Sequence, residues 1–437
     1  MKKRVLYSFF LMLMGANLFI GAQIYSRSAQ AADKENAYQQ VELFMKVLEQ
    51  VRQNYVDGDK VSYHDLIQSA MRGMISTLDP HSEFLEPVKY TDLKNDTEGA
   101  FGGVGIVVGL RDGQLSVVSP MEDSPAFKAG IVTGDRISKI NGASTERMTL
   151  PDAVKVLRGK AGTDVTITIT RPSQPDFVKD VTLTRAVIKV STVKDLNGLA
   201  EFPVDPSGVG YARITQFGEQ TTSDFDKALK SMAGKGMKGL ILDLRNNPGG
   251  LLDQAVKVCD IFLPRGQLIV STEGRAVRSR SEEFRATGRD QYPGLKMVIL
   301  VNGGSASASE IVSGCLQDIG RAYLIGEQTF GKGSVQSILP FEDGSALRLT
   351  TAKYYTPSHK VIHEKGITPD SIVPTTPEEE EALFLKRVPG GVEGLDAATQ
   401  ERVNQVRDEQ LARAQDFLKG VLLLKERAAG ATPDRRG

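Results

Sequence analysis

Between Val190 and Ile372 the chain repeats one pattern, an apolar run of strand length, a turn, and then apolar residues at helical spacing. Leu240 to Leu244, Met297 to Val301 and Tyr323 to Ile325 read as buried strands, with helices at Leu251 to Phe262 and Ala308 to Gln317. Strands that alternate with helices pair in parallel, because a crossover long enough to hold a helix returns the chain in the same direction. The region is thereby constrained to a largely parallel, layered sheet. Ligands of such sheets collect at the carboxyl ends of the strands. Asn246-Asn247-Pro248-Gly249-Gly250 and the stretch from Asn302 to Glu310 both begin where a strand has just ended, so two loops are expected at one cleft.

The second loop carries Ser305, Ser307 and Ser309, alternating with alanines. A hydroxyl at a strand-to-helix turn lies beside unpaired backbone N–H groups, which suits a nucleophile whose product oxygen bears negative charge. Ser307 and Glu310 also have the Ser-x-x-Glu spacing of a capping box, and on this stretch alone Ser307 need be no more than a helix cap. Ser305 and Ser309 read as packing and capping residues. A nucleophile needs a base, and His64, His81, His359 and His363 all lie far from the serines in sequence. A Ser-His-Asp triad has no support. His359 and His363 lack the His-Glu-x-x-His order of a zinc site, so no metal is expected. Lys332, between Gly331 and Gly333 in the loop that leaves the Tyr323 strand, is the alternative base.

A chain of 437 residues, 40% hydrophobic, can hold two or three cored domains. Lys plus Arg and Asp plus Glu both number 54, so charge gives no reason to propose a nucleic acid partner. Cys259 and Cys315 sit in apolar helical patterns, where buried free thiols are expected rather than a disulfide framework. Met1-Lys2-Lys3-Arg4, the apolar run from Val5 to Ile24 and Ala29-Gln30-Ala31 make residues 1–31 a signal peptide or an N-terminal anchor. Either outcome puts the rest of the chain outside the cytoplasm, in the periplasm or cell envelope, free or anchored to the inner membrane. Residues 33–90 show helical stripes, and residues 376–437 a second helical segment with a disordered end from Ala428. Such stripes mean core or contact between copies in a homo-oligomer.

From 98 to 186 the chain is β-rich. Gly102-Gly103-Val104-Gly105-Ile106 feeds a strand, and Ser124-Pro125-Ala126 to Gly130-Ile131 and Gly134-Asp135-Arg136-Ile137 follow. As a phosphate loop the glycines fail, since no Lys-Ser/Thr pair follows. The order of elements resembles a PDZ domain of the bacterial protease type. That resemblance implies that Gly103, Val104, Gly105 and Ile106 receive the terminal carboxylate of a protein tail.

Asp243-Leu244-Arg245-Asn246-Asn247-Pro248-Gly249-Gly250, Gly304-Ser305-Ala306-Ser307-Ala308-Ser309-Glu310, Gly326-Glu327-Gln328-Thr329-Phe330-Gly331-Lys332-Gly333 and Tyr354-Tyr355-Thr356-Pro357-Ser358 resemble the signature segments of the C-terminal processing peptidases, or tail-specific proteases. The resemblance implies an α/β multi-domain fold, with a layered crotonase/Clp-protease-like protease core over 187–375, an inserted PDZ domain over 98–186, and helical N- and C-terminal segments. It implies Ser307 as nucleophile, Lys332 as base, Gln336 as the residue that orients the lysine, and the N–H groups of Ala308 and Gly250 as the oxyanion hole, with Gly249 the alternative to Gly250. No cofactor is implied. The expected partners are proteins or peptides with free C-terminal tails, and the tail-binding domain is expected to gate the cleft. Gly303 stands where relatives often carry lysine, and Val361-Ile362-His363 departs from the usual run after Tyr-Tyr-Thr-Pro. The competing function is a catalytically silent PDZ scaffold in the cell envelope.

Overall fold

The computed structural model describes residues 37–430 apart from 99, 112, 122–123, 133, 173, 190–191, 276–280, 388–391 and 393–394. The expected signal or anchor at 1–31 lies outside them. Among the described residues no helix is long and apolar enough to cross a membrane.

The chain divides into two compact units, one ending at Phe84 and the other beginning at Leu85. In the first, α1 spans residues 37–54 and α2 is Tyr63–Ser76. Ser62 caps α2 by accepting the Asp65 N–H on its hydroxyl at 3.1 Å. Leu48 of α1 is buried, but Val41, Phe44 and Met45 remain 59%, 43% and 45% exposed, so most of the expected stripe is not core within one chain. A short strand, β1 (Glu83–Leu85), covers the junction in sequence.

In the second unit α3 (Pro87–Glu98) leads to β2 (Ala100–Gly103). An antiparallel sheet follows, built from β3 (Ile106–Arg111), β4 (Gln114–Pro120), β5 (Arg136–Ile140), β6 (Ala143–Ser144), β7 (Asp164–Arg171) and β8 (Gln174–Thr184). Helices α4 (Pro125–Lys128) and α5 (Leu150–Leu157) interrupt it, and β9 (Ala186–Lys189) returns to pair antiparallel with β2. The chain therefore joins and leaves this module through one two-stranded ribbon, the geometry of an inserted domain. Alternation fixes its faces. Val165, Ile167 and Ile169 of β7 are buried, while Thr166 and Thr182 face out and share a hydroxyl hydrogen bond of 2.9 Å. Each buried aliphatic side chain contributes about 1.5–3 kcal/mol.

The larger body is a six-stranded sheet in the order β10 (Val193–Lys194), β11 (Val209–Ile214), β12 (Gly239–Asp243), β15 (Lys296–Val301), β16 (Tyr323–Gly326) and β19 (Ser371–Ile372). From β11 to β19 every pairing is parallel, with Tyr211 beside Ile241 and Ile241 beside Val298. Strands covered on both faces read as unbroken apolar runs, which is why Gly239-Leu240-Ile241-Leu242-Asp243 is buried throughout. Leu240, Leu242 and Ile299 pack with α6 (Thr221–Gly234), α7 (Leu252–Asp260) and α8 (Ala308–Asp318). Ile241, Val298 and Leu300 pack on the other face with Leu411, Ala414, Leu418 and Leu422 of α11 (Glu409–Gly430). That helix thus forms core, and it continues through Gly430, past the expected onset of disorder at Ala428; residues 431–437 lie outside those described. Helices α9 (Pro377–Arg387) and α10 (Ala397–Gln405) precede it.

A second sheet departs from the sequence expectation. β13 (Leu268–Gly274), β14 (Glu282–Arg285), β17 (Ser334–Pro340) and β18 (Ala346–Tyr355) are joined antiparallel. The expected parallel sheet is one of two in this body. Cys259 and Cys315 are free and buried in the helical layer of α7 and α8.

Candidate active site

β15 ends at Val301, the glycines turn, and α8 starts at Ala308, which leaves Ser307 as the last residue before the helix. Ser307 adopts φ 53° and ψ −112°, a region costly for a residue with a Cβ and held only by surrounding contacts. The Ser307 N–H donates to Glu310 Oε2 at 2.8 Å, the returning half of the expected capping box. Ala306 N–H donates to the Asn247 carbonyl at 3.0 Å, and Ser309 Oγ donates to the same oxygen at 2.9 Å. Ser305 Oγ donates to the Leu244 carbonyl at 2.8 Å. Ser305 and Ser309, read from the sequence as packing and capping residues, thus bond the serine loop to the neighbouring strand-end loop.

That loop approaches so closely that a side chain has no room. A Cβ on Gly249 would meet the Ser307 Cβ at 2.8 Å and the Ala308 nitrogen at 3.0 Å. The two glycines then divide their work. Gly249 N–H is committed to Asn247 Oδ1 at 2.9 Å. The N–H groups of Gly250 and Ala308 have no acceptor among the described residues, so this pair is open to a developing oxyanion. Phe217 holds the loop from behind, donating its N–H to the Gly249 carbonyl at 2.9 Å and accepting the Leu251 N–H at 2.7 Å.

Glu310 has no exposed surface and joins the nucleophile to the lysine loop. Its Oε1 accepts from Thr329 Oγ1 at 2.5 Å and Gly331 N–H at 2.7 Å; its Oε2 accepts from Ser307 N–H at 2.8 Å and Lys332 N–H at 2.9 Å. Ser307 and Lys332 are therefore tied to one carboxylate oxygen. Burial lowers the Lys332 ammonium from its ordinary pKa, the positive charge of Arg348 lowers it further, and Glu310 opposes both. The loop packs so closely that a Cβ on Gly333 would meet the His363 backbone nitrogen at 2.1 Å.

Gln336 is placed differently from the expectation. Its Nε2 donates to Ser334 Oγ at 2.8 Å, and no hydrogen bond joins it to Lys332 among the described residues. The β17–β18 register shifts here, between Val335 and Gln336, where β18 carries the extra residue Thr351. Sequence reasoning also missed Asn247, Asn302, Thr329 and Arg348. Glu310 carried a signal, the capping-box spacing, but that spacing disclosed only one of its four donors.

In the β-rich module, Val104 and Gly105 turn their carbonyls inward. Val104 accepts the Ala126 N–H at 3.0 Å, and Gly105 accepts the Met121 N–H at 2.9 Å and the Ser124 hydroxyl at 3.1 Å. Their own N–H groups have no acceptor among the described residues. Gly105 has φ 73°, and a Cβ there would meet the Ser124 Cβ at 2.2 Å. Gly103 ends β2, and Ile106 opens β3, the outer strand of its sheet. An open edge beside two free N–H groups can accept an extended chain and its carboxylate.

Comparison with known proteins identifies the family of the α/β body and the β-rich module. The peptidase family S41 model matches residues 208–373 and a PDZ domain model matches residues 116–171. The chain is 45% identical over 367 residues to a carboxy-terminal-processing protease of Bartonella bacilliformis, covering 82% of this chain and 81% of that one. It is 35% identical over 363 residues to the carboxy-terminal processing protease CtpA of Bacillus subtilis, covering 82% of this chain and 72% of that one. Among solved structures, the photosystem II D1 C-terminal processing protease is 30% identical with a TM-score of 0.45, over 82% of this chain and 98% of that one.

Proposed function

The chain belongs to peptidase family S41, as a carboxy-terminal-processing serine protease with a PDZ domain, and from that premise we propose that Ser307 is its nucleophile, Lys332 its general base, and the N–H groups of Gly250 and Ala308 its oxyanion hole. One observation carries this reading. The single oxygen Oε2 of Glu310 takes the backbone N–H of both Ser307 and Lys332, so the strained serine turn and the lysine loop are spaced by one buried group.

Ser307 Oγ attacks the peptide carbonyl while the Lys332 amine takes its proton. The oxyanion forms beside the two open N–H groups. Lys332 then returns the proton to the leaving amine, and water, deprotonated by Lys332, hydrolyses the acyl-enzyme. Lys332 must be neutral to begin, and an ordinary lysine with a pKa of about 10.4 is not, near pH 7. Its partial burial and the charge of Arg348 favour the neutral form. Gln336 joins the set by turning from Ser334 to accept the lysine amine on its Oε1. Substrates are exported proteins with free C-terminal tails, received by Val104 and Gly105 at the open edge of β3 and cut at Ser307. The amino-terminal segment 1–31 carries the enzyme out of the cytoplasm.

The test is hydrolysis of an unstructured protein with an apolar tail. Ser307→Ala and Lys332→Ala are each expected to lose roughly 10³-fold or more in kcat. Ser313→Ala, whose hydroxyl back-bonds to the Ser309 carbonyl at 2.8 Å and the Glu310 carbonyl at 3.4 Å within α8, is expected to keep it. Persistent cleavage in either of the first two variants rejects the dyad. Tail binding without cleavage by the unaltered protein selects the silent scaffold instead.

A further inference from the structure

Asn302 follows the last residue of β15 and is 3% exposed. Every polar atom of its amide is used, and the pattern fixes which way the amide faces. Oδ1 accepts the Asn246 N–H at 2.8 Å and the Gly304 N–H at 3.1 Å. Nδ2 donates to Asn246 Oδ1 at 2.9 Å and to Glu380 Oε1 at 2.8 Å. The Asn302 N–H itself donates to Ser305 Oγ at 3.0 Å. One side chain therefore touches both loops of the site. On one side it grips Asn246, which sits at φ 57° and turns the chain into Asn247-Pro248-Gly249-Gly250. On the other it holds the turn that leads into Ser307.

Glu380 belongs to neither loop. It lies in the first turn of α9, beyond the residues 208–373 matched by the S41 model. A second tie reaches the same loop from the same terminal segment. Arg245, next to Asn246, donates to Asp408 at 2.8 and 2.9 Å and to Gln410 at 3.0 Å. The carboxy-terminal segment thus holds Arg245 directly and Asn246 through the Asn302 amide, at the start of the Gly249-Gly250 turn.

We propose that Asn302 and Glu380 are positioning residues of the oxyanion hole: Glu380 fixes the Asn302 amide, and Asn302 sets the spacing between the Gly250 and Ala308 N–H groups. The proposal rests on reading those two N–H groups as the oxyanion donors. Neither residue touches substrate. Their effect falls on the transition state, where a donor displaced by a fraction of an ångström loses most of its effect, and leaves tail binding alone.

Full-length enzyme with Glu380→Ala, Glu380→Gln and Asn302→Asp is assayed for kcat and KM on a tailed substrate, for inhibition by a peptide aldehyde, and for thermal melting. The aldehyde adds to Ser307 and places its oxygen in the hole, so its inhibition constant reports the hole directly. Glu380→Ala is expected to lower kcat roughly tenfold at unchanged KM and to weaken the aldehyde in proportion. Glu380→Gln, whose amide oxygen still accepts from Asn302, is expected to stay within about threefold of the unaltered enzyme. Asn302→Asp, which loses the Nδ2 donor, is expected to fall at least as far as Glu380→Ala. A Glu380→Ala enzyme with full kcat overturns the proposal, as does a fall in kcat with undiminished aldehyde inhibition, or an equal fall in the Gln variant. Should Ser307→Ala still cleave, the nucleophile assignment fails first; a dead Ser307→Ala beside a fully active Glu380→Ala sinks the positioning role alone.

Discussion

Glu310 accepts four hydrogen bonds with no exposed surface. Burial pushes its carboxyl pKa up, while the donors from Thr329, Gly331, Ser307 and Lys332 pull against that rise. A carboxylate only accepts, so it suits four donors, whereas an amide turns an N–H against some of them. Glu310→Gln is expected to lose about 2 kcal/mol of stability and to lose cleavage with it, read by thermal melting and by kcat; a variant of normal kcat would show that something else spaces Ser307 from Lys332. Arg348 has a different signature. A base acts when neutral, so the rate rises with pH through the Lys332 pKa, and Arg348 keeps that value down. Burial lowers it more, and Glu310 is the opposing charge. Arg348→Gln is expected to move the acid limb of the kcat/KM profile to higher pH, with Arg348→Lys restoring it; an unmoved limb would deny Arg348 this role. Ser307 and Lys332 were legible in sequence because a motif carries them. Thr329, Asn247 and Asn302 were not, since they act by bonding backbone groups of distant loops, and such bonds impose no period on the chain.

The parallel strands were legible as elements because both faces are buried and the apolar run is unbroken, as in Leu240-Ile241-Leu242. β17 and β18 were not, although β17 carries Gln336 and follows Lys332 directly. Ser334-Val335-Gln336-Ser337-Ile338 is mostly half-buried and shows no alternation of buried and exposed positions, and its partner strand carries an extra residue, Thr351. The terminal helices were read as helices, but their partner was hidden. Arg245 reaches from the end of β12 to Asp408, which Arg387 of α9 also contacts at 3.0 Å, while Tyr211 donates to Asp243 at 2.7 Å. Burial alone would raise the Asp408 carboxyl, but the hydrogen bonds and charge of Arg245 outweigh it and hold the pKa below its ordinary 3.8. For a depressed carboxyl the stabilisation is complete above the ordinary value and is lost as pH falls through the lower folded value. Asp408→Asn is expected to cost about 3 kcal/mol at neutral pH and to flatten the decline in melting temperature below about pH 4. Equal acid sensitivity in both proteins would assign that decline to other carboxylates.

Over the whole molecule, the open N–H groups of Val104 and Gly105 come directly after β2, one half of the ribbon that joins the PDZ module to the rest. Thr97, at the end of α3 just before β2, accepts the Glu219 N–H at 3.2 Å, so the ribbon is seated at the start of α6. The proposed protease site draws on none of this. Ser307, Lys332, Gly250 and Ala308 are held by Glu310, Asn247, Phe217 and Asn302, all within the larger α/β body. Since none of these contacts involves the β-rich module, tail docking is expected to supply binding common to ground and transition states, and therefore to act on KM. The gating implied by family resemblance predicts something else, a lower kcat whenever the tail is not docked, with Gln336 as the member still to be aligned. Amidating the C-terminus of an otherwise identical substrate removes the charge that the Val104 and Gly105 N–H groups would bind, without altering the scissile bond. The expected result is a KM raised about tenfold with kcat within about twofold, since a charged hydrogen-bond partner is worth roughly 1.5–3 kcal/mol. A matching fall in kcat, restored by adding a free-acid tail peptide in trans, would instead mean that docking moves Gln336 from Ser334 to Lys332. An unchanged KM and kcat would remove the tail from the recognition scheme altogether.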